Sequence, residues 1–132
     1  SESDFSGKRV LLVEDNDLNQ EIAQEILKMA GLTVEIAENG KEAVRLFSGM
    51  PENYYDMILM DIQMPLMNGY EAAEALRSME REDAQNVPII AMTANAFADD
   101  VLAAKNAGMN EHIAKPLDML RLQELLGDYL NR

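Results

Sequence analysis

A chain of 132 residues, 48% apolar and 27% charged, fits one domain with a core of its own, and no apolar run approaches the ~20 residues of a membrane span. A formal charge of −13 argues against nucleic acid as a partner, because phosphate contacts draw on Lys and Arg. The absence of cysteine excludes disulfides, thiolate metal sites and cysteine nucleophiles, and suits a reducing, cytoplasmic compartment.

Ser1 to Lys8 carries no apolar stretch of the signal-peptide kind and reads as a solvated linker, 1–8, before a domain at 9–132. The chain begins without Met, so we expect a piece of something longer. Val10 to Val13 is a short apolar run ending at Glu14-Asp15, the pattern of a strand buried on both faces. Asp17 to Ala30 then predicts a helix with Leu18, Ile22, Ile26 and Met29 on its stripe, widened by Ala23, Leu27 and Ala30, and stopped at Gly31.

Thr33 to Ala37 predicts a second strand, and Asn39 precedes a helix through Ala43, Val44 and Phe47. Gly49, Pro51 and Asn53 mark a loop. Met57 to Met60 is the third buried run, closed by Asp61. Asn68-Gly69 introduces a helix with Ala72, Ala73, Leu76 and Met79 on one face, and Glu80 to Asn86 reads as a polar connection. Val87 to Met92 is the fourth strand, ending at Thr93. Phe97, Val101, Leu102 and Ala104 suggest a helix closed by Gly108. His112 to Ala114 is the fifth strand, running into Lys115-Pro116, and the last helix carries Leu122, Leu126 and Tyr129.

Five alternations of strand and helix imply an α/β domain with a parallel sheet covered on both faces. In such sheets ligands bind beyond the carboxyl ends of the strands. With strand order 2-1-3-4-5, Glu14, Asp15 and Asp61 share one pocket, with Thr93 and Lys115 beside them. Like charges ~4 Å apart at an effective dielectric of ~20 repel by about 4 kcal/mol, so a carboxylate triad favours a cation. All-oxygen ligation suits magnesium, or manganese in its place. Each of these residues alone also has an ordinary reading: acidic residues end strands, a threonine caps, a lysine is solvated. Their shared position at four strand ends favours a site.

Leu11 to Asn16, Met60-Asp61-Ile62-Gln63-Met64-Pro65 with Asn68-Gly69, Met92-Thr93-Ala94 and Lys115-Pro116 together closely resemble the receiver domain of two-component response regulators. The resemblance covers essentially the full chain. It implies a flavodoxin-like fold with five helices around the sheet, and makes Asp61 the acceptor of a phosphoryl group from phosphohistidine. It further implies that Asp15, Asp61 and the Gln63 carbonyl hold magnesium, with Glu14 acting through water. Thr93 and Lys115 contact the phosphoryl oxygens, and Gln63 and Asn95 line the path of the hydrolytic water. His112 stands where many receivers have Tyr or Phe, and Glu14 where Asp is frequent.

Asn16 to Gln20, Met92 to Ala96 and Ser6 to Arg9 are similar to receivers at the end of hybrid sensor histidine kinases, whose partners are a kinase's histidine-bearing helices or a histidine phosphotransfer domain. A stand-alone regulator is the alternative. On this reading the chain catalyses its own phosphorylation and dephosphorylation without turning over a free substrate, as a monomer or weak dimer, on the cytoplasmic side. Leu18 and Ile22 either extend the helix core or face the partner beside Pro116-Leu117. A haloacid dehalogenase-type phosphatase would want a second Asp at Gln63, and a nucleotide-binding relative of flavodoxin would want a glycine-rich loop where Glu14-Asp15-Asn16 stands. A receiver degenerated to a binding module would not keep Asp61, Thr93 and Lys115 together.

Overall fold

The computed structural model of the protein describes residues 5–94, 98–115 and 117–130. Within them the chain runs β1 (Arg9–Val13), α1 (Asp17–Met29), β2 (Thr33–Ala37), α2 (Gly40–Gly49), β3 (Met57–Asp61) and α3 (Gly69–Arg77). It continues through α4 (Glu82–Asn86), β4 (Ile89–Thr93), α5 (Ala98–Asn106), β5 (Glu111–Ala114) and α6 (Met119–Leu130). The strands form one parallel sheet in the order β2-β1-β3-β4-β5, as expected.

Asparagines start three of the helices. The side chains of Asn16, Asn39 and Asn68 accept from the backbone N–H groups of Asn19, Glu42 and Glu71, satisfying donors that a helix leaves open at its first turn. At α3 the Glu71 carboxylate also accepts from the Asn68 N–H, completing a reciprocal cap. After α1, Gly31 takes a φ of 92°, which glycine adopts at little cost.

The buried strands alternate between two cores. Leu11, Val13, Ile58, Met60, Ile89 and Ala91 pack with Ala43 and Phe47 of α2, Ala73 and Leu76 of α3, and Ala104 of α5. Val10, Leu12, Met57, Leu59, Ile90 and Met92 face the other way, onto Ala23 and Leu27 of α1 and Leu122, Leu125 and Leu126 of α6. Both faces of the sheet are covered, which is why these strands read as continuous apolar runs.

Four expectations are corrected. The polar connection contains a helix, α4, so six helices are described rather than five. Arg81 explains it: its guanidinium grips Asp83 at 3.0 and 2.9 Å while Nη1 donates to the carbonyls of Phe47 and Met50 at the end of α2. Charge-assisted bonds therefore stabilise a segment with no apolar stripe. Second, Leu18, Ile22 and Met29 of α1 face solvent, and Ala23 with Leu27 make its buried face. Third, Leu102 is exposed on α5. Fourth, the segment before β1 is not solvated throughout: Phe5 is 2% exposed in the α1–α6 core, its N–H donating to the Ala30 carbonyl. One aromatic ring can bury enough apolar area to hold a short segment down. Asn95, Phe97 and Pro116, with the Lys115-Pro116 bond, lie outside the described residues.

Candidate functional site

Parallel register levels the strand ends. Val13 pairs with Met60, so Glu14 and Asp15 leave β1 beside Asp61 at the end of β3. Asp61 pairs with Met92 and Thr93 pairs with Ala114, which brings Thr93 and Lys115 to the other side of Asp61. The Lys115 N–H donates to the Thr93 carbonyl at 2.9 Å, fixing the point where the chain leaves β5.

Gly69 lets α3 begin close beneath this corner. Its N–H donates to the Ile62 carbonyl at 2.8 Å, and a Cβ at this position would stand 2.5 Å from the Asp61 carbonyl oxygen.

Glu14 and Asp61 are buried, Asp61 to 4% exposure, while Asp15 is open to solvent. One oxygen from each of the three carboxylates lies within 4.8 Å of the other two. Lys115 Nζ stands 3.0 Å from Asp61 Oδ2 and 3.2 Å from Glu14 Oε1. The Gln63 N–H donates to Asp61 Oδ1 at 3.2 Å, and the Asn16 N–H to Glu14 Oε2 at 3.1 Å. Gln20 Nε2 donates to the Glu14 carbonyl at 2.7 Å, tying α1 to the strand end.

These neighbours shift the ionisation of the site. Burial, followed by the charge of Asp61, pushes the Glu14 carboxyl above the usual carboxylate range, against the Asn16 N–H and Lys115. Burial alone would lower the pKa of Lys115. The hydrogen bond and charge of Asp61, joined by Glu14, outweigh it and leave that pKa above the ordinary lysine value.

All the sequence-predicted site residues that are described come together here. Glu14, Asp15, Asp61, Gln63, Thr93 and Lys115 line one cleft of about 280 Å³. Tyr70 of α3 and Asp100 of α5 line it too, and sequence reasoning missed both. Burial, with the charge of Asp100 added, raises the pKa of the Tyr70 hydroxyl. A signal for Tyr70 existed, since it follows the capped turn that starts α3 at the end of β3. None marked Asp100, whose place depends on how α5 is set against the sheet. His112 lies on β5 opposite Ala91 and lines a separate groove with Val101, Lys105 and Glu111.

The donor set fits a small, hard divalent cation. Three carboxylate oxygens within 4.8 Å of one another, from Glu14, Asp15 and Asp61, gather negative charge that such a cation would neutralise, directly or through its waters. Carboxylates, a nearby backbone and an opening to solvent supply the oxygen-rich, partly hydrated surroundings that such an ion takes.

Residues 10–127 match the response regulator receiver domain family. The chain belongs to that family. This receiver is 37% identical over 127 residues to the peroxide stress-activated histidine kinase mak1 of Schizosaccharomyces pombe, covering 96% of this chain and 8% of that protein. It is 36% identical over 128 residues to hybrid signal transduction histidine kinase I of Dictyostelium discoideum, covering 96% of this chain and 7% of that protein. The receiver thus spans less than a tenth of either relative.

Among solved structures, it resembles the receiver domain of sensor histidine kinase PA1611 from Pseudomonas aeruginosa, with a magnesium ion coordinated in its active site cleft. Identity is 38%, the TM-score is 0.85, and coverage is 96% of this chain and 100% of that one. It also resembles a chain of the co-crystal of the Saccharomyces cerevisiae phosphotransfer protein Ypd1 with the receiver domain of Ssk1, at 30% identity and TM-score 0.84, covering 95% and 90% of the two chains. No described helix is long and apolar enough to cross a membrane.

Proposed function

We propose that this receiver takes a phosphoryl group from phosphohistidine onto Asp61, and that the phosphorylated form is a distinct signalling state. The observation that carries the reading is the buried Asp61 carboxylate, 3.0 Å from the Lys115 ammonium and within 4.8 Å of oxygens from Glu14 and Asp15. An Asp61 oxygen attacks phosphorus, the P–N bond breaks, and its electron pair leaves with the imidazole. No general base is required, because a carboxylate attacks without giving up a proton.

Asp15, Asp61 and the Gln63 carbonyl would hold magnesium, with Glu14 assisting through water. When bound, the ion neutralises carboxylate and phosphoryl charge and orients the incoming group. Lys115 adds a fixed positive charge on the opposite side of Asp61, and the Thr93 hydroxyl donates to a phosphoryl oxygen. Phosphoryl transfer of this kind is mainly positioning plus charge neutralisation, which these residues are placed to supply. Manganese is a chemically reasonable substitute. Water entering past Gln63 returns Asp61 to its carboxylate and releases phosphate.

The partner is a histidine phosphotransfer domain or the histidine-bearing helices of a kinase, and the larger context is a hybrid histidine kinase. The kinase relatives and the Ypd1 complex support that reading. Leu18 and Ile22, exposed on α1, offer such a partner an apolar contact, Ile22 lining a groove with Leu117 and Lys115. We place the receiver unit at 9–132 after a linker at 1–8, from which Phe5 docks onto it.

The test is intact mass after incubation with acetyl phosphate and magnesium. We expect a phosphoryl adduct on the wild type that is lost in Asp61→Asn and on chelation. No adduct on the wild type overturns the reading, and catalytic turnover of many phosphate esters would favour a phosphatase.

A further inference from the structure

Three of the chain's four tyrosines give their hydroxyl directly to a carboxylate: Tyr54 and Tyr55 to Glu35 at 2.7 and 2.8 Å, and Tyr129 to Glu111 at 3.1 Å. Tyr70 is the exception. The charge of Asp100 reaches its hydroxyl and, after burial, helps to keep the proton on it, so the hydroxyl is a donor. Yet among the described residues neither that hydroxyl nor the Asp100 carboxylate has a hydrogen-bond partner.

The two residues face each other at a junction. The cleft that holds Asp61 adjoins a second, wider cavity of about 550 Å³, and Ile62, Gln63, Tyr70 and Asp100 line both. Ile62 and Gln63 belong to the chain leaving β3, Tyr70 to the first turn of α3 and Asp100 to the first turn of α5. The backbone at Tyr70 is fixed on either side. Gly69 before it bonds to the Ile62 carbonyl, and Glu71 after it is locked into the reciprocal cap with Asn68.

A hydroxyl and a carboxylate that confront each other across a polar, roomy opening without bonding are suited to share a water. The contacts to the Asp61 carboxylate itself come from elsewhere, from Lys115 and the Gln63 N–H. Tyr70 and Asp100 therefore bear on what passes the junction, and not on the nucleophile.

We propose that Tyr70 and Asp100 are positioning residues for hydrolysis of the phosphorylated Asp61, holding between them the water that attacks it. This rests on the reading of Asp61 as phosphoryl acceptor. The Tyr70 hydroxyl donates to the water oxygen and the Asp100 carboxylate accepts one of its protons, which leaves a lone pair of that oxygen to face phosphorus. The bond from water to phosphorus forms, and the bond from Asp61 to phosphorus breaks with its electron pair staying on Asp61. Both protons of the water leave with the phosphate. Acceptance of the group from a donor uses no water, so it does not depend on the pair.

The experiment labels the wild type, Tyr70→Phe, Asp100→Asn and the double variant with acetyl phosphate and magnesium, removes the donor by rapid desalting, and follows loss of the adduct by intact mass. We expect each single variant to lose its adduct about fivefold more slowly than the wild type, the factor that one hydrogen bond is typically worth, while its initial labelling rate stays within about twofold. The double variant should decay no more than about twofold more slowly than the slower single one, because both groups act on one water. Decay within about twofold of wild type in either single variant overturns the inference. Faster decay does too, since the pair would then be shielding the phosphoryl group from water. A labelling rate that falls as far as the decay rate also overturns it, because the pair would be shaping the cleft as a whole. Slowing that multiplies in the double variant, to about twenty-fivefold, refutes the shared water. Absence of any adduct on the wild type overturns the Asp61 reading itself.

Discussion

The Lys115 ammonium lies 3.0 Å from Asp61 Oδ2 and also 3.2 Å from Glu14 Oε1, so one side chain from the end of β5 neutralises carboxylates from the ends of β3 and β1. On the proposed function, a divalent ion held by the same carboxylates would feel that positive charge, and the two would compete electrostatically while both favour a phosphoryl group on Asp61.

Replacing that ammonium separates the two effects. In Lys115→Met we expect magnesium affinity to rise about three- to tenfold, because a repulsive charge is removed from the carboxylates. Phosphoryl acceptance should fall at least about tenfold, because the transferred group loses its fixed counter-charge. Titration calorimetry and labelling kinetics with acetyl phosphate measure the two. An unchanged magnesium affinity would refute the competition.

Gly69 allows no side chain. The atoms a Cβ would meet are backbone, Asp61 O at 2.5 Å and Ile62 Cα at 2.9 Å, so the loop after β3 would have to move. Gly69→Ala should destabilise the fold by about 1–3 kcal/mol, the usual range for overpacking. The labelling rate should also drop, because the displaced atoms include the carbonyl of Asp61, the proposed acceptor. Urea denaturation together with labelling kinetics checks this, and a normal rate in a destabilised protein would detach the loop from the chemistry.

Acid should reach the fold through Asp83. Burial would raise its pKa, but the Arg81 hydrogen bonds, the Asn53 N–H and the Arg81 charge outweigh that and hold it below the ordinary aspartate value. A depressed folded pKa means that the contribution is fully present above the unfolded value of about 3.9 and is lost as pH falls through the folded one. Asp83→Asn should therefore cost about 1–3 kcal/mol at pH 7, with the gap from wild type closing below about pH 4. Denaturation midpoints at pH 7 and pH 3 decide it; a pH-independent gap would assign the loss to packing.

Phe5 should behave as core. A buried phenylalanine cut to alanine typically costs about 3–5 kcal/mol, whereas a residue in a solvated tether costs almost nothing. Phe5→Ala should lower the melting temperature by about 10 °C or more. Calorimetry measures it, and a shift under about 2 °C would return the segment to a solvated tether.

Much of the fold was legible because its signals are local. The runs Val10 to Val13 and Met57 to Met60 are continuous because both faces of those strands are buried, and Asn39 and Asn68 mark helix starts by the chemistry of their own side chains. Helix faces were less legible. Leu18, Ile22 and Met29 look like a core stripe, yet Ala23 and Leu27 take the sheet side, and periodicity does not say which of two apolar stripes wins. The helix at Glu82–Asn86 was hidden because its stability comes from Arg81 reaching back to the end of α2, a contact between distant parts of the chain.

The candidate site divides along the same line. By itself the sequence determined its membership, because Glu14, Asp15, Asp61, Thr93 and Lys115 each stand where an apolar run stops, and a parallel sheet must bring such ends to one edge. Only the tertiary structure decided the pairing: that Lys115 bridges Asp61 and Glu14, and that Tyr70 and Asp100 line the cleft. Those relations depend on strand register and on how helices are set against the sheet. Both follow from packing summed over the whole chain, which no short stretch of residues encodes.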